Sequence, residues 1–129
     1  MLNKGERGFT LLEIMMVIFI IAILIGVIIP VFIAYRARGY DSKAKSDLRS
    51  ATNAAQVYYI DHNATYANMN AAALNPIVSG FDFMDGAVQS DNDIYISNVS
   101  DATFTLSCRS RSGTIYTVSG SGTLITFSF

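Results

Sequence analysis

The side chain with the clearest chemical demand in this sequence is Glu13, a carboxylate at the start of a long apolar stretch. Residues Ile14 to Tyr35 carry no charge and consist mainly of Leu, Ile, Val, Met and Phe. An ionised side chain costs on the order of 2.5–3.5 kcal/mol at the centre of a membrane-spanning helix and less near its end. Glu13 therefore predicts a polar or charged partner, with an interfacial carboxylate that reaches towards water as the simpler alternative.

The apolar stretch is long enough to cross a bilayer as a helix. At ~1.5 Å per residue, Ile14 to Tyr35 would measure about 33 Å, close to the ~30 Å thickness of the hydrocarbon layer. A small soluble domain could hardly bury a helix that is apolar on every face. The stretch therefore needs a membrane, partner helices or both. Lys4 and Arg7 precede it and predict that the N-terminus stays on the cytoplasmic side.

A secretory signal peptide is the obvious alternative for such a stretch. Its apolar region would be ~7–15 residues long, shorter than the one seen here. No small-x-small cleavage pattern follows closely, and Glu13 lies at the start of the run. These three features argue against a signal peptide.

The residues around Glu13 resemble the processing site of type IV prepilins and related pseudopilins. Those families have a short charged leader that ends in Gly, then Phe, then Thr-Leu-hydrophobic-Glu and a long apolar helix. The matching stretch reads Lys4-Gly5-Glu6-Arg7-Gly8-Phe9-Thr10-Leu11-Leu12-Glu13, and Ile28-Ile29-Pro30-Val31-Phe32 and Tyr35-Arg36 also resemble the family's pattern. The resemblance covers roughly the first half of the chain, while the rest matches only in general layout.

This resemblance implies that residues 1–8 are a leader removed after Gly8 by a membrane-embedded prepilin peptidase. The same enzyme would N-methylate the new terminus at Phe9. Gly8 has no side chain, so an extended backbone could approach the peptidase closely. By family precedent, Glu13 would pair with the Phe9 amine of a neighbouring subunit, which would offset part of the desolvation penalty and set the axial register.

Gly26 and Pro30 interrupt the apolar helix. Proline removes one helical hydrogen bond and clashes with the preceding turn, and glycine adds backbone freedom. One interpretation is a gentle kink tolerated in a membrane helix. The other, implied by the resemblance, is a segment that bends or locally unwinds when the subunit moves from the bilayer into a filament.

The helical pattern continues beyond the apolar stretch, to about residue 62. Small or aromatic residues recur there at spacings of three and four and predict one buried face: Ala37, Tyr40, Ala44, Leu48, Ala51, Ala55 and Tyr58. Two oppositely charged pairs four residues apart, Asp41 with Lys45 and Lys43 with Asp47, would lie on the solvent side. We therefore expect one long helix over about 9–62, with 9–35 as the membrane and filament-core half and 36–129 as the globular head.

The remainder of the head predicts a small antiparallel β-meander packed on the amphipathic half of the helix, an α+β fold. A connecting region from about Ala64 to Asn92, with a short helical turn at Asn70 to Leu74, precedes it. Alternating residues predict about four strands: Ile94–Val99, Thr103–Arg109, Thr114–Val118 and Thr123–Phe129. Gly120-Ser121-Gly122 is interpreted as a turn.

Other residue types that could support chemistry have simpler interpretations. Cys108 is the sole cysteine and predicts a small core residue, and His62 predicts a contact with the last helical carbonyls. An acidic group in the head suggests calcium but does not match the spacing of an EF-hand, so an exposed polar loop is preferred: Asp82, Asp85, Asp91 and Asp93. We predict no enzymatic activity, no cofactor and no metal, and the net charge of −1 gives no sign of nucleic-acid binding.

The resemblance implies a structural subunit of a type IV pilus, with adhesion, twitching motility or DNA uptake as outcomes that the sequence does not separate. Its partners would be further copies in a helical homopolymer, the prepilin peptidase, an inner-membrane assembly platform and a cytoplasmic assembly ATPase. The chain would span the bacterial inner membrane once before assembly and lie in an extracellular pilus afterwards. The alternatives are a pseudopilin of a type II secretion system and, from another class, a monomeric membrane-tethered binding module.

Overall fold

The structure, a computed structural model, describes residues 8–128, so most of the expected leader lies outside the described residues. The elements, numbered in chain order, are α1 (Leu11–Asp61), α2 (Ala71–Leu74), β1 (Phe83–Asp85), β2 (Ile94–Ser97), β3 (Thr103–Arg109), β4 (Ile115–Ser121) and β5 (Leu124–Ser128). The expected long helix and the α+β class are confirmed. The chain divides into two compact units, one up to Arg36 and one from Ala37 onward.

The described part of the first unit is the apolar half of α1. It contains the one helix among the described residues that is long and apolar enough to cross a membrane, judged by length and composition. The most apolar window has a mean hydropathy of 3.3, and none of it is buried within the chain. Its large side chains are about half exposed or more, as Phe19 at 66% and Phe32 at 58% show. This surface requires a non-aqueous environment.

The second unit contains a five-stranded sheet in the order β1-β2-β3-β4-β5. The pairs from β2 to β5 are antiparallel, which confirms the meander, while β1 pairs with β2 in parallel. The expectation of about four strands omitted β1. A strand of three residues is too short to show alternation, and a parallel neighbour gives no hairpin signal in the sequence.

The core lies between the sheet and one face of α1. Ala44, Leu48, Ala51, Ala55 and Tyr58 are buried at the predicted spacing of three and four. They form one cluster with the inward-facing residues of the sheet, and these include Phe83, Ile94, Ile96, Phe104, Leu106, Cys108, Tyr116 and Val118. Three of the five helix residues are alanines, so the helix backbone can approach the sheet closely.

Tyr66 lies in the segment after α1 and is fully buried. It contacts residues that come much later in the sequence. Its backbone N–H donates to the carbonyl of Asp101 at 3.0 Å, and its hydroxyl donates to the carbonyl of Gly122 at 2.8 Å. Its ring lies 4.6 Å from that of Phe104. The loop that leaves the helix is thereby fixed to the β4–β5 hairpin.

The interpretation of Gly120-Ser121-Gly122 as a turn was wrong for its first two residues. Gly120 and Ser121 belong to β4, and Gly120 lies opposite Phe104 of β3. The turn is formed by Gly122 and Thr123, and Gly122 has a φ of +57°. Gly120 serves a different purpose, because a Cβ atom there would lie 2.1 Å from Cε1 of Phe104. Its missing side chain leaves the space that the Phe104 ring occupies.

Candidate functional site

The start of α1 is a capping box formed by Thr10 and Glu13. The Thr10 hydroxyl accepts from the backbone N–H of Glu13 at 3.2 Å, while Oε2 of Glu13 accepts from the Thr10 N–H at 2.8 Å. The same carboxylate oxygen accepts from the Thr10 hydroxyl at 3.0 Å. The four residues Thr10-Leu11-Leu12-Glu13 match the Ser/Thr-x-x-Glu pattern that satisfies N–H groups left without partners at a helix start.

The capping box gives Glu13 a structural role besides the expected contact between subunits. Its charge also lies at the positive end of the helix dipole, where a carboxylate is stabilised. The sequence contained the signal for this role, because Thr three residues before Glu at the start of an apolar run is a known helix-start pattern. Thr10 thus belongs to the site together with Glu13, although no role was expected for it from the sequence.

The expected cleavage site lies immediately before this cap. Residues 8–10 are outside any helix. A Cβ atom at Gly8 would meet nothing within 4 Å, and Phe9 is 84% exposed. The bond between Gly8 and Phe9 is therefore in non-helical, accessible backbone, as a peptidase substrate must be.

Gly26 and Pro30 lie one helical turn apart in the continuous helix α1, which has Pro30 inside it. A helical N–H donates to the carbonyl four residues earlier, and proline has no N–H. The carbonyl of Gly26 therefore lacks its usual helical donor, and Gly26 is the residue with the most backbone freedom in that turn. The missing hydrogen bond and the flexible glycine thus lie in the same helical turn.

The other polar candidates in the head have structural contacts. Nδ1 of His62 lies 2.9 Å from the carbonyl of Tyr58, which confirms the helix-end interpretation. Cys108 is fully buried, as expected for a core residue, and this burial raises the pKa of its thiol to about 11. Asp91 pairs with Arg109 at 2.7 Å, and Asp85 accepts from the N–H of Ala71.

Two charged side chains of α1, Lys43 and Asp41, make polar contacts. Lys43 pairs with Asp47 at 2.6 Å as expected. Asp41 accepts a hydrogen bond from the Ser112 hydroxyl at 2.5 Å. Hydrogen bonds from Ser112, and then from Ser110, hold the pKa of the Asp41 carboxyl below its ordinary value. No group of three or more His, Cys, Asp or Glu side chains within residues 8–128 is arranged to hold a metal ion.

The N-terminal segment matches a known sequence family. A family model described as the prokaryotic N-terminal methylation motif covers residues 3–29, which include Gly8, Phe9, Glu13 and Gly26. The expected resemblance to type IV pilins and pseudopilins is thereby confirmed for this segment. No solved structure was found to match the chain.

Curated relatives resemble about half of the chain. The type IV wide pilus major component PilA4 of Thermus thermophilus is 40% identical over 68 residues, which are 53% of this chain and 52% of that protein. The type IV major pilin PilA of Myxococcus xanthus is 40% identical over 68 residues, 51% of this chain and 31% of that protein. The type II secretion system core protein G of Pectobacterium carotovorum is 36% identical over 76 residues, 57% of this chain and 49% of that protein. The chain thus spans about half the length, or less, of these relatives.

Proposed function

We propose that this chain is a structural subunit of a type IV pilus, made as a precursor, cleaved between Gly8 and Phe9 and N-methylated at Phe9. The methylation motif over residues 3–29 and the similarity to the major pilins of Thermus thermophilus and Myxococcus xanthus support this function. Its partners are further copies of itself, the prepilin peptidase, an inner-membrane assembly platform and a cytoplasmic assembly ATPase.

The observation that carries the proposal is the apolar half of α1, which has no buried residue and begins with a carboxylate in its first turn. The apolar window of α1 has no burial within the chain, so its surface is available first to lipid and then to the same surface of other subunits. Before assembly the helix spans the inner membrane once, with its N-terminus on the cytoplasmic side. After assembly it lies in the core of an extracellular filament.

The geometry of Glu13 allows it to act within its own helix and between subunits at once. Among the described residues, the two hydrogen bonds to its carboxylate both go to Oε2. An ionised carboxylate accepts through both oxygens, so Oε1 is open to a donor from a neighbour. Cleavage before Phe9 creates such a donor, a positively charged amine. The pair offsets the desolvation of both charges inside the filament and sets the axial register of the subunits.

The turn that contains Gly26 and Pro30 supplies the flexibility that assembly requires. A lipid-embedded helix and a filament-embedded helix have different neighbours, so a subunit that moves between them must adjust its backbone. A turn that already lacks one hydrogen bond opens at a smaller cost than a regular turn. We therefore assign local bending or unwinding to this turn.

Glu13→Gln separates the two roles of the carboxylate. Glutamine keeps the capping pattern but has no charge for the amine of a neighbour. Expressed from the gene's own locus, the Gln and Ala variants of Glu13 should both insert in the membrane, while surface filaments are lost or severely reduced. Thr10→Val is the matched control, because it removes the hydroxyl that accepts from the Glu13 N–H but keeps the carboxylate, and it should still form filaments. Electron microscopy counts the filaments, and the intact mass of each purified variant reports cleavage and methylation.

Three results would contradict parts of this proposal. Filaments of normal number and length in Glu13→Gln cells would show that charge pairing is not needed. Loss of filaments in Thr10→Val with normal filaments in Glu13→Gln would assign Glu13 to helix capping alone. An intact mass that retains residues 1–8 in filament-forming cells would refute the proposed cleavage.

A second candidate is a pseudopilin of a type II secretion system. Core protein G of Pectobacterium carotovorum is 36% identical over 76 residues, and that of Escherichia coli is 40% identical over 58. Deletion of the gene distinguishes the two functions: a pilus subunit leaves cells without surface filaments, whereas a pseudopilin leaves them unable to secrete exoproteins. A membrane-tethered binding module would show neither defect.

A further inference from the structure

Two turns at opposite ends of β3 each carry a single charged side chain, and the two charges have opposite sign. The turn after β3, residues 110–114, contains Arg111, and the turn before β3, residues 98–102, contains Asp101. Both residues are exposed. The seven residues of β3 lie between the two turns and separate them by about 20 Å at ~3.3 Å per residue.

The same two turns lie at the two ends of the amphipathic half of α1. The Ser112 hydroxyl donates to Asp41 near the start of this half. The carbonyl of Asp101 accepts from the N–H of Tyr66, which follows the end of the helix. Within the second unit, β3 therefore runs antiparallel to α1, and the two charged turns lie at opposite ends of the head along the direction of the helix.

The end of the head that contains Asp101 is acidic. Asp61, the last residue of α1, is exposed and lies at this end as well. Hydrogen bonds bring together three segments here, 58–66, 98–105 and 119–126, and none of them contains Lys or Arg. Within the described residues, neither Asp61 nor Asp101 takes part in a salt bridge.

Arg111 is the outermost cation at the other end. Its guanidinium carbon lies 5.6 Å from the centre of the Tyr40 ring, a cation–π contact that orients the side chain and leaves its positive charge in place. Carboxylates at this end already have partners, since Asp41 is hydrogen-bonded to the turn and Asp91 pairs with Arg109 at 2.7 Å. Arg111 itself is in neither salt bridge of the described residues.

We propose that the heads of successive copies of this chain contact each other end to end, with Arg111 of one copy paired with Asp101 of the next. The inference rests on the proposed function, because it requires copies whose helices lie parallel in one filament. A contact between two different surfaces of the same chain is head-to-tail, and its repetition generates an open helical polymer. Copies that enter the membrane in one orientation cannot form the antiparallel two-fold pair that would join the same two residues.

The charges of the head favour a second copy as the partner, because one end of the molecule complements the other. Asp61 reinforces the negative charge that Arg111 meets. An exposed ion pair adds little stability by itself, whereas charge complementarity across an interface fixes register and excludes wrong arrangements. The apolar half of α1 thus supplies most of the assembly free energy, and the Arg111–Asp101 contact selects the spacing of the heads.

A charge swap tests the contact. Arg111→Asp, Asp101→Arg and the double variant are each expressed from the gene's own locus, and the chain sheared from the cell surface is compared with the total by immunoblot. Because like charges then face each other across the interface, each single variant should lower the sheared fraction by about tenfold. The double variant restores opposite charges and should recover to within about threefold of the unmodified chain.

Asp82→Arg is the matched control. It makes the same change of charge as Asp101→Arg at another exposed position, just before β1, and it should leave the sheared fraction unchanged. Circular dichroism of each full-length variant in detergent checks that the head is folded.

The proposed function and the head contact fail in different ways. Absence of filaments from cells with the unmodified chain would refute the proposed function and this contact with it. If those cells form filaments, the contact alone is overturned when the single variants assemble normally, or when the double variant assembles no better than they do. Equal losses in Asp82→Arg and Asp101→Arg would also overturn it, because the effect would then follow total charge rather than position.

Discussion

Gly120 should be the least replaceable glycine of the head, although it lies in a regular strand. A Cβ atom at position 120 would lie 2.1 Å from Cε1, 2.5 Å from Cζ and 2.8 Å from Cδ1 of Phe104. The nearest of these distances is about 1.3 Å short of the 3.4 Å at which ordinary contact begins. The ring cannot retreat freely, because Phe104 is 1% exposed and lies against the ring of Tyr66.

The expected magnitude follows from two opposing effects. Forcing additional atoms into a packed core costs ~1–3 kcal/mol. Replacing a glycine within a strand recovers ~0.5–1 kcal/mol, because the unfolded chain loses less entropy on folding. We therefore expect Gly120→Ala to lower the free energy of unfolding by ~1–2 kcal/mol. Gly39→Ala is the matched control, since Gly39 is helical with nothing within 4 Å of its Cβ position, and it should raise the free energy of unfolding by ~0.5–1 kcal/mol.

The assay is urea unfolding of the full-length chain in detergent, followed by near-ultraviolet circular dichroism of its 7 tyrosines. Phe104→Leu supplies the second arm of a double-mutant cycle. This substitution destabilises the head by itself, but it removes the ring atoms that the new methyl group meets, so adding Gly120→Ala should then have little further effect. The reasoning is refuted if Gly120→Ala and Gly39→Ala change stability in the same direction. It is also refuted if the loss caused by Gly120→Ala is the same in both backgrounds.

Two further predictions concern pH. Burial raises the pKa of Cys108 from 9.0 to about 11. Between these pH values the unfolded chain loses the thiol proton while the folded chain keeps it. The free energy of unfolding of the head should therefore fall by about 2–3 kcal/mol as the pH rises across this range. Urea unfolding at pH 8.5 and pH 11 should show a smaller loss in Cys108→Ala than in the unmodified chain, and equal losses would contradict the prediction. Hydrogen bonds from Ser112 and Ser110 lower the pKa of Asp41, so the stability that its charge contributes is present above the unfolded pKa and is lost as pH falls through the folded pKa. Asp41→Asn should therefore flatten the decline of the melting temperature on acidification below pH 4, and an unchanged decline would refute the role of this carboxylate.

Helix α1 and β3 were predictable because their patterns are long. The bounds of β3 were predicted as Thr103–Arg109 and are observed unchanged, since Phe104, Leu106 and Cys108 alternate with polar residues over the whole strand. The buried helix face was evident from Ala44 to Tyr58 for the same reason. Long periodic segments average out the ambiguity of single residues.

Features that depend on one contact distant in sequence were not predictable. Gly120 has the residue type of a turn, and only the ring of Phe104 across the sheet shows why glycine stands there. Asn75 has no local feature that predicts its hydrogen bond with the backbone N–H of Phe83 in β1. The capping box of Thr10 and Glu13 is different, because its pattern is local and was legible in the sequence. A partner was predicted for the charge of Glu13 because of the apolar stretch that follows it, whereas its hydrogen bonds with Thr10 were not predicted.

The hydrogen bond between the hydroxyl of Tyr66 and the carbonyl of Gly122 spans 56 residues and has a consequence for the order of events during synthesis. The buried helix face is made before the strand that carries Val118, and the turn at Gly122 is made 56 residues after Tyr66. Contacts of high sequence separation delay folding, because the intervening loop must be closed before they form. The head should therefore fold only after the residues up to Gly122 have been made, while under the proposed function the apolar half of α1 can already be in the bilayer. Under the proposed function, membrane insertion and head folding are two separate steps in time, and the apolar half of α1 is anchored before the hydrogen bond between Tyr66 and Gly122 forms.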